Sequence, residues 1–249
     1  MPAEHPRGTV NGHLLEVFRS WQGEGPYAGV RQIFVRLAGC HLRCHYCDTP
    51  ESWERAKTWS LEGETRANPA SVEEVAGILR DWSARERFHS VSFTGGEPVL
   101  QPDFLRALAI EARAAGLPVY LDTSGTLAER LAKVADAIDI FALDYKLPST
   151  PGVRFDEEDV RRCLAIARGR GFVKIVTTAG AKIEEIDRAA EMVADTDLAM
   201  PVVIQVATAA NASVTPPDGS LLARARAALE RHGLPVYVLP QIHALAGWK

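Results

Sequence analysis

Apolar stretches typical of β-strands alternate with helical patterns along most of the chain, and this alternation limits the possible folds more than any other feature. Six stretches rich in β-branched and aromatic residues fit strands. They cover residues 31–39, 90–95, 119–125, 138–146, 172–180 and 201–208. Strands that alternate with helices form a parallel sheet built from right-handed βαβ units. We therefore expect an α/β protein with an open or partial (β/α)6 barrel.

Helix signals separate these strands. Ser71 and Glu74 form a capping box ahead of a helical pattern that reaches about residue 86. Further helices are expected over residues 103–115, 157–168, 183–193 and 220–232. A doubly wound sheet has the same alternation, but no G-x-G-x-x-G pattern follows the first strand, so dinucleotide binding has little support.

Length and charge set further limits. The chain has 249 residues, and no linker or repeat divides it, so we expect one domain over residues 1–249. The net charge is −4 and the basic residues are scattered, which argues against a nucleic-acid surface. The first residues contain no apolar signal-peptide core, and no run suits a membrane span. We expect a soluble, cytoplasmic protein with no nucleic-acid or membrane partner.

Three cysteines follow the first predicted strand at Cys-x3-Cys-x2-Cys spacing: Cys40, Cys44 and Cys47. So short a loop turns all three thiolates toward one point. A 4Fe–4S cluster is normally held by four cysteine thiolates, so three would leave one iron free for another ligand. A zinc knuckle is the alternative, with a histidine of the loop (His41 or His45) or Cys163 as fourth ligand. Cys163 falls in a helical pattern, and we interpret it as a core residue.

Polar residues also stand at the C-terminal ends of later strands, where barrel enzymes place their sites. The two glycines of the sequence Thr94-Gly95-Gly96-Glu97-Pro98 permit a tight turn beside a carboxylate. Ser124, Lys146 and Gln205 end three further strands. A plain turn, or a polar residue that caps a strand, is the alternative interpretation of each.

The cysteine spacing, with Tyr46 before the last cysteine, resembles the cluster loop of the radical S-adenosylmethionine superfamily. That resemblance implies a barrel of the radical SAM type, a 4Fe–4S cluster and S-adenosylmethionine. It also implies that the methionine end of S-adenosylmethionine binds the open iron, and that the glycine-glycine-glutamate turn serves its ammonium. The residues that we expect to bind S-adenosylmethionine are Tyr46, Cys47, Asp48, Gly96, Glu97, Ser124, Lys146 and Gln205.

A narrower resemblance depends on motifs spread over nearly the whole chain. Trp21-Gln22-Gly23-Glu24-Gly25, Arg36, Asp48-Thr49, Thr94 and the tail Leu239-Pro240-Gln241-Ile242-His243 are similar to the 7-carboxy-7-deazaguanine synthase family. The resemblance implies a lyase that converts 6-carboxy-5,6,7,8-tetrahydropterin to 7-carboxy-7-deazaguanine with loss of ammonia, in the 7-deazapurine (queuosine) pathway. It also implies Mg²⁺, an external flavodoxin-like or ferredoxin-like electron donor, a homodimer, and short terminal extensions that contribute to the substrate site.

The residue chemistry agrees with such a substrate. The 2-amino group and ring N–H of a pterin call for acceptors such as Glu24 or Gln22, and its carboxylate calls for a guanidinium such as Arg36. Thr49 offers a hydroxyl oxygen to Mg²⁺, although an Asx or Ser/Thr turn before proline explains the same residues. The resemblance adds substrate contacts from Trp21, Gly23, Thr94, His243 and the carboxylate of Lys249.

A radical activating enzyme, which installs a glycyl radical on a partner protein, shares the cysteine loop and the glycine-glycine-glutamate turn. It gives no reason for the glycine-rich segment from Gln22 to Gly25, or for Thr49. A zinc-binding module without catalytic activity is the second alternative.

Overall fold

The computed structural model describes residues 10–208 and 214–248. Its strands are β1 (Asn11–Gly12), β2 (Leu14–Trp21), β3 (Arg31–Leu37), β4 (Thr58–Leu61), β5 (Glu64–Ala67), β6 (Ala70–Ser71), β7 (Ser90–Gly95), β8 (Val119–Thr123), β9 (Ile140–Asp144), β10 (Gly171–Thr177), β11 (Val202–Val206) and β12 (Val236–Pro240). Its α-helices are α1 (Val72–Arg85), α2 (Pro102–Ala114), α3 (Ala128–Ala132), α4 (Glu157–Ala167), α5 (Ile183–Thr196), α6 (Gly219–Glu230) and α7 (Ile242–Ala246).

One ten-stranded sheet runs through the protein in the order β12-β11-β10-β9-β8-β7-β3-β2-β4-β5. Its seven strands from β12 to β3 are parallel, which confirms the predicted α/β architecture. The sequence predicted six such strands, and β12 is the seventh. Strand β2 runs antiparallel to β3, and the β4–β5 hairpin extends that edge. The two end strands of this order do not pair with each other, so the barrel is open.

Local sequence signals explain where the helices begin. The hydroxyl of Ser71 accepts a hydrogen bond of 3.1 Å from the backbone N–H of Glu74, which confirms the predicted cap of α1. Pro102 occupies the first turn of α2, where its missing N–H needs no partner. Asp156 caps α4 in the same way as Ser71, because its carboxylate accepts from the N–H of Asp159. The helix boundaries therefore agree with the sequence within a few residues.

The two faces of the parallel strands bury different residues. Side chains such as Phe93, Leu121 and Ile175 point toward the helices and are fully buried in the main core. Each such side chain contributes about 1.5–3 kcal/mol through burial. Cys163 lies in this core at 1% exposure, as the sequence predicted.

The opposite, concave face carries a smaller apolar cluster, formed by Tyr120, Ala142, Phe172 and Val203. Tyr27, from the loop after β2, packs against this cluster with its ring 5.9 Å from that of Tyr120. The cluster fills the space between the strands on the side where they begin. Polar residues follow it along the same strands, and they surround an open cavity at the C-terminal ends.

Within the described ranges, no helix is both long enough and apolar enough to cross a membrane.

Candidate active site

A cavity with an empty volume of about 1240 Å³, counted out to its open mouth, lies at the C-terminal ends of the parallel strands. Residues from the loop after β2, the cysteine loop after β3, and strands β7 to β10 line it. The segment after β12 closes one side with Gln241 and His243. This is the end of the sheet where α/β barrel enzymes carry their sites.

The cysteine loop is held in place by backbone contacts with a second loop. The N–H groups of Arg43 and His45 donate to the carbonyls of Gly152 and Pro151, at 2.9 and 3.2 Å. A side chain at Gly152 would place its Cβ 1.8 Å from the Arg43 carbonyl oxygen, and its φ of +81° also favours glycine. The N–H of Cys40 donates to Trp53, in the short 3-10 helix Pro50–Trp53. The backbone around the three cysteines is therefore fixed by the fold.

All three loop cysteines are free thiols that line the cavity. Burial raises the pKa of Cys40 to about 11, and burial also raises the pKa values of Cys44 and Cys47. Buried thiolates need a cation to compensate their charge, and a bound metal centre supplies one. The donor set of three thiolates in an open cavity therefore fits an iron–sulfur cluster with one free iron.

A zinc knuckle has less support in the structure. Sulfurs around one tetrahedral zinc lie within about 4 Å of one another, because each Zn–S bond is about 2.3 Å long. Within residues 10–208 and 214–248, the one group of three ligand atoms within 4.8 Å of each other comes from Glu24, Asp48 and His243, without a cysteine. The Nε2 atom of His41 is already 2.9 Å from the hydroxyl of Thr126, and Cys163 lies in the core.

The glycine-glycine-glutamate turn packs directly against the cysteine loop. A Cβ on Gly96 would lie 2.3 Å from the carbonyl oxygen of Gly39, so this close approach requires glycine. Glu97 is fully buried, and its carboxylate accepts from the Thr123 hydroxyl at 2.7 Å and from the Ser124 N–H at 2.8 Å. Glu97 therefore ties the end of β8 to the turn after β7.

Lys146 and Asp144 form a buried ion pair of 2.5 Å beside the cysteine loop. The Lys146 ammonium also lies 5.3 Å from the centre of the Tyr46 ring. Burial alone would lower the pKa of Lys146, but the carboxylate of Asp144 outweighs burial and raises it well above the usual value. The second oxygen of Asp144 is buried and has no hydrogen-bond partner among the described residues.

A second charged cluster crosses the floor of the cavity. Lys174, on β10, contacts a carboxylate oxygen of Glu24 at 2.5 Å and one of Asp122 at 3.4 Å. The hydroxyl of Thr94 donates to the other oxygen of Asp122 at 3.3 Å. The amide oxygen of Gln22 accepts from the N–H of Glu24, which fixes the direction of that loop.

Asp48 and Thr49 connect the cysteine loop with the C-terminal segment. The Thr49 hydroxyl donates to Asp48 at 2.9 Å and accepts from the Arg36 guanidinium at 3.4 Å. On the other side, the His243 ring lies 3.8 Å from Asp48. Burial would raise the pKa of Asp48, but the nearby His243 ring and the Arg36 charge lower it far below its usual range. Arg36 also bonds Glu16 at 2.9 Å.

The segment after β12, from Gln241 to Trp248, covers part of the cavity mouth. The Trp248 ring lies 5.5 Å from the ring of Trp21, and the backbone N–H of Trp248 donates to the backbone carbonyl of His243. A Cβ on Gly23 would lie 2.2 Å from the His243 ring, so glycine permits the tail to approach this loop. Lys249 lies outside the described residues, and the predicted contact through its carboxylate stays a prediction.

Comparison with known proteins identifies the family. Residues 35–195 match the radical SAM superfamily, which is more than half of the chain. The chain is 36% identical over 243 residues to the 7-carboxy-7-deazaguanine synthase of Geobacter sulfurreducens, covering 94% of this chain and 96% of that protein. It is 35% identical over 257 residues to the synthase of Methanothermobacter thermautotrophicus, with the same coverage of the two chains. The chain belongs to the 7-carboxy-7-deazaguanine synthase family.

Solved structures show the same fold as this member of the synthase family. The crystal structure of QueE from Escherichia coli has a TM-score of 0.60 at 19% identity, covering 92% of this chain and 93% of that chain. A radical SAM methyltransferase from Sphaerobacter thermophilus has a TM-score of 0.58 at 14% identity, covering 91% of this chain and 77% of that chain. These likenesses confirm the partial barrel of the radical SAM type.

The cavity of this synthase-family protein brings together most residues that the sequence predicted. Those that line it are Trp21, Gln22, Gly23, Glu24, Arg36, Cys40, Cys44, Tyr46, Cys47, Asp48, Thr94, Gly96, Ser124, Lys146 and His243. Glu97 and Thr49 stand behind the lining and bond residues that form it. Gln205 is buried and is not among the residues that line the cavity, and its amide donates to the Leu239 carbonyl at 3.0 Å.

Seven polar residues of the lining were not predicted from the sequence: Ser92, Asp122, Thr123, Asp144, Lys174, Thr208 and Gln241. Gln241 belongs to the tail motif from Leu239 to His243, but the resemblance gave it no role. The one available signal was their position, since a charged residue inside an apolar strand, such as Lys174 in β10, must find a partner when buried.

Proposed function

We propose that this protein converts 6-carboxy-5,6,7,8-tetrahydropterin to 7-carboxy-7-deazaguanine with release of ammonia. Membership of the synthase family makes it a radical SAM lyase of the queuosine pathway, and the substrate is the part that we propose. The observation that carries the proposal is the composition of one cavity. It opens onto three cysteine thiols and also contains a carboxylate acceptor, Glu24, and a guanidinium, Arg36.

Family membership implies a 4Fe–4S cluster and S-adenosylmethionine, and the residues present fit both. When bound, the two together supply a 5′-deoxyadenosyl radical. Cys40, Cys44 and Cys47 would hold the cluster. The buried pair of Lys146 and Asp144 stands beside the loop and would meet the polar groups of S-adenosylmethionine, with the unpartnered oxygen of Asp144 as an acceptor.

The pterin would lie between the cysteine loop and the charged floor of the cavity. Glu24 would accept from the 2-amino group and the ring N–H, because each of its oxygens has spare acceptor capacity. Arg36 would meet the substrate carboxylate. Phe18 and Phe34 stack at 5.0 Å and line the cavity, which supports the binding of a flat ring system. Trp21, with Trp248 packed on it, and His243 would close the mouth over the substrate.

Thr49 and Asp48 are our proposed protein ligands for Mg²⁺ or for its waters. Mg²⁺ prefers oxygen ligands and keeps several waters, so one hydroxyl and a neighbouring carboxylate suit it. The two side chains already share a hydrogen bond at the edge of the cavity. The Arg36 guanidinium lies 3.4 Å from the Thr49 hydroxyl, so a substrate carboxylate bound by Arg36 would also be close to the metal ion. That carboxylate would be the natural third oxygen donor.

The atoms balance without an external oxidant. The product differs from the pterin by one ammonia molecule, and S-adenosylmethionine is reformed at the end of the cycle. The chain therefore has to orient the substrate, hold its charges and keep water from the radical. Three further predictions stay predictions: an external electron donor, a homodimer and a single domain over residues 1–249. The ten-stranded sheet supports the prediction of a single domain.

Anaerobic reconstitution with iron and sulfide, followed by product analysis, tests the proposal. The protein is incubated with a chemical reductant, S-adenosylmethionine, Mg²⁺ and the carboxytetrahydropterin. We expect 7-carboxy-7-deazaguanine and equal amounts of ammonia, with S-adenosylmethionine not consumed in proportion. Cleavage of S-adenosylmethionine without any deazapurine would contradict the proposal. A glycyl radical formed on an added partner protein would favour the activating-enzyme alternative, which the family comparison does not favour.

A further inference from the structure

Lys174 occupies the centre of the cavity floor, between two carboxylates that come from different parts of the chain. Only 7% of its side chain is exposed, compared with 15% for Glu24 and 28% for Asp122. Its ammonium lies 2.5 Å from Glu24 and 3.4 Å from Asp122. The Lys174 ammonium is therefore closer to Glu24 than to Asp122, and its stronger ion pair is the one with Glu24.

Glu24 also accepts the shorter side-chain hydrogen bond of the two carboxylates. Its second oxygen accepts from the Gln241 amide at 2.8 Å, whereas Asp122 receives a hydroxyl bond of 3.3 Å from Thr94. Burial would raise the pKa of Glu24, but the nearby ammonium and the Gln241 hydrogen bond lower it overall. Burial raises the pKa of Asp122, and the more distant ammonium does not cancel that effect. One ammonium thus holds one carboxylate ionised and leaves the other able to bind a proton.

Other charges around this group do not replace Lys174. Lys146, two residues after the end of the neighbouring strand β9, is paired with Asp144 at 2.5 Å. Asp48 faces Glu24 from the cysteine loop and raises its pKa. Tyr120 and Tyr27 lie below the group, toward the start of the strands, and carry no positive charge. His243, from the segment after β12, also faces Glu24, with a ring nitrogen within 4.8 Å of a Glu24 carboxylate oxygen, and its ion-pair partner is Asp48 at 3.8 Å. Among the ion pairs of the described residues, Lys174 is the one cation within 4.0 Å of Glu24.

We propose that Lys174 is a positioning residue that keeps Glu24 an anionic acceptor aimed into the cavity. This inference rests on the proposed function. Each oxygen of Glu24 accepts one donor from the protein and retains capacity for one more. A ring that presents an amino group next to a ring N–H, as a 2-amino-4-oxopteridine does, matches two such acceptors side by side.

Removal of the ammonium would reverse the hydrogen-bonding character of Glu24. A buried carboxylate without a cation takes up a proton near neutral pH. A protonated Glu24 presents an O–H donor against the N–H donors of the ligand, so binding weakens. Raising the pH ionises Glu24 again and restores the acceptor. Affinity in a variant without the lysine, taken relative to the parent protein at the same pH, should therefore rise with pH. The ratio cancels the titration of His243 and of the ligand's own ring N–H, which both proteins share.

The test measures binding of 6-carboxypterin, the oxidised and unreactive form of the proposed substrate. Isothermal titration calorimetry is run on the reconstituted protein with S-adenosylmethionine, from pH 6 to about pH 9. We expect Lys174→Met to weaken binding about tenfold near neutral pH, with most of the loss recovered at the high end. Lys174→Arg keeps the charge and should leave the ratio of its affinity to that of the parent protein independent of pH, even where the affinity itself falls. Lys182→Met, at an exposed lysine (62%), serves as the matched control.

A double variant separates positioning from structural damage. In the Glu24→Gln background residue 24 cannot ionise, so Lys174→Met should no longer introduce the pH dependence that belongs to Glu24. Parent-like binding by Lys174→Met, or a loss that is equal at every pH, would overturn the role of Lys174. Failure of the unmodified protein to bind 6-carboxypterin would instead overturn the proposed substrate and this inference together.

Discussion

Gln241 donates a hydrogen bond of 2.8 Å to Glu24, although 217 residues separate them in the chain. Its side-chain oxygen accepts from the N–H of Thr208, so the glutamine spans the space between the N-terminal loop and the end of β11. The same amide lies 3.4 Å from Asp48. The two ends of the chain therefore meet at the proposed substrate site, and each positions residues of the other.

Replacing Gln241 with leucine should weaken binding of the pterin about tenfold, because hydrogen bonds to charged groups are worth about 1.5–3 kcal/mol. The effect should fall on substrate affinity, since the side chain of Gln241 bonds Glu24, Asp48 and the Thr208 N–H. Calorimetric titration with 6-carboxypterin measures it, with iron content as the control. A variant with parent-like affinity would show that the tail has no role in holding Glu24.

Cys44→Ala should abolish the cluster and all activity, because two thiolates cannot hold a 4Fe–4S centre. Cys163→Ala is the matched control, since this cysteine is buried in the main core (1% exposed). We expect the control to keep its iron and its colour, with a loss of stability of about 1–2 kcal/mol from the small cavity. Iron and sulfide analysis after anaerobic reconstitution checks both. An iron-loaded, brown Cys44→Ala protein would contradict the assignment of the loop.

Gly96→Ala should displace the cysteine loop, because the new Cβ would meet the Gly39 carbonyl at 2.3 Å and the Ser52 carbonyl at 2.7 Å. We expect lower S-adenosylmethionine affinity and a destabilisation of about 2 kcal/mol or more. Gly77→Ala is the control: this glycine lies in α1 with open space around it. Alanine there should be neutral or stabilising by up to about 1 kcal/mol. Equal thermal midpoints for the two variants would contradict this account of the turn.

Thr49→Ala should leave the cluster intact and remove the response of turnover to added Mg²⁺. The protein then lacks its proposed hydroxyl ligand, while the three cysteines are untouched. Activity at increasing Mg²⁺ concentration measures the change, and Thr58→Ala, at an exposed position on β4, serves as the control. A colourless Thr49→Ala protein would mean that Thr49 supports the cluster instead of the metal ion.

Asp139 provides a test of the fold under acid conditions. Its carboxylate accepts from the Val119 N–H at 2.7 Å and from the Arg113 guanidinium at 2.5 Å. Burial would raise the pKa of Asp139, but these two bonds lower it overall. A lowered pKa in the folded state gives stability that is present above the unfolded pKa, about 3.9, and lost as the pH falls through the folded value.

Asp139→Asn should therefore lower the thermal midpoint by roughly 2–4 °C between about pH 5 and pH 8, equivalent to about 1 kcal/mol. The expected loss of stability already includes a reduction for solvent screening, since 36% of the Asp139 side chain is exposed. The difference between the two proteins should shrink below about pH 4. A difference that grows with acidity would contradict the assigned role of Asp139.

The sequence predicted the five long helices (α1, α2, α4, α5 and α6) and six central strands because these segments repeat a strong apolar pattern. It missed β2 as a strand, since residues 14–21 run without a break into the glycine-rich segment. The β4–β5 hairpin was missed for a different reason. Its strands are short and largely exposed, as in Glu64–Ala67, and Trp59 is the one large buried side chain among them. Tertiary pairing with β2, which no local pattern encodes, makes this hairpin part of the sheet.

The residues of the candidate site also differ in whether a local pattern of the sequence could predict them. Residues grouped in short motifs, such as Cys40, Cys44 and Cys47, were predictable because their chemistry depends on local spacing. Lys174 and Asp122 could not be found in this way, since each is one polar residue in an apolar strand and their partnership depends on strand order. Gln241 lies within the recognised tail motif, but its contact with Glu24 spans nearly the full length of the chain.

We propose that the protein leaves one iron of the cluster free for S-adenosylmethionine. Electron–nuclear double resonance on the reduced, reconstituted protein tests this most directly, with S-adenosylmethionine isotopically labelled at its amino nitrogen and carboxylate oxygen. We predict magnetic coupling of both labelled atoms to the cluster. An intact cluster without either coupling, or a single metal held by four protein side chains, would contradict the account.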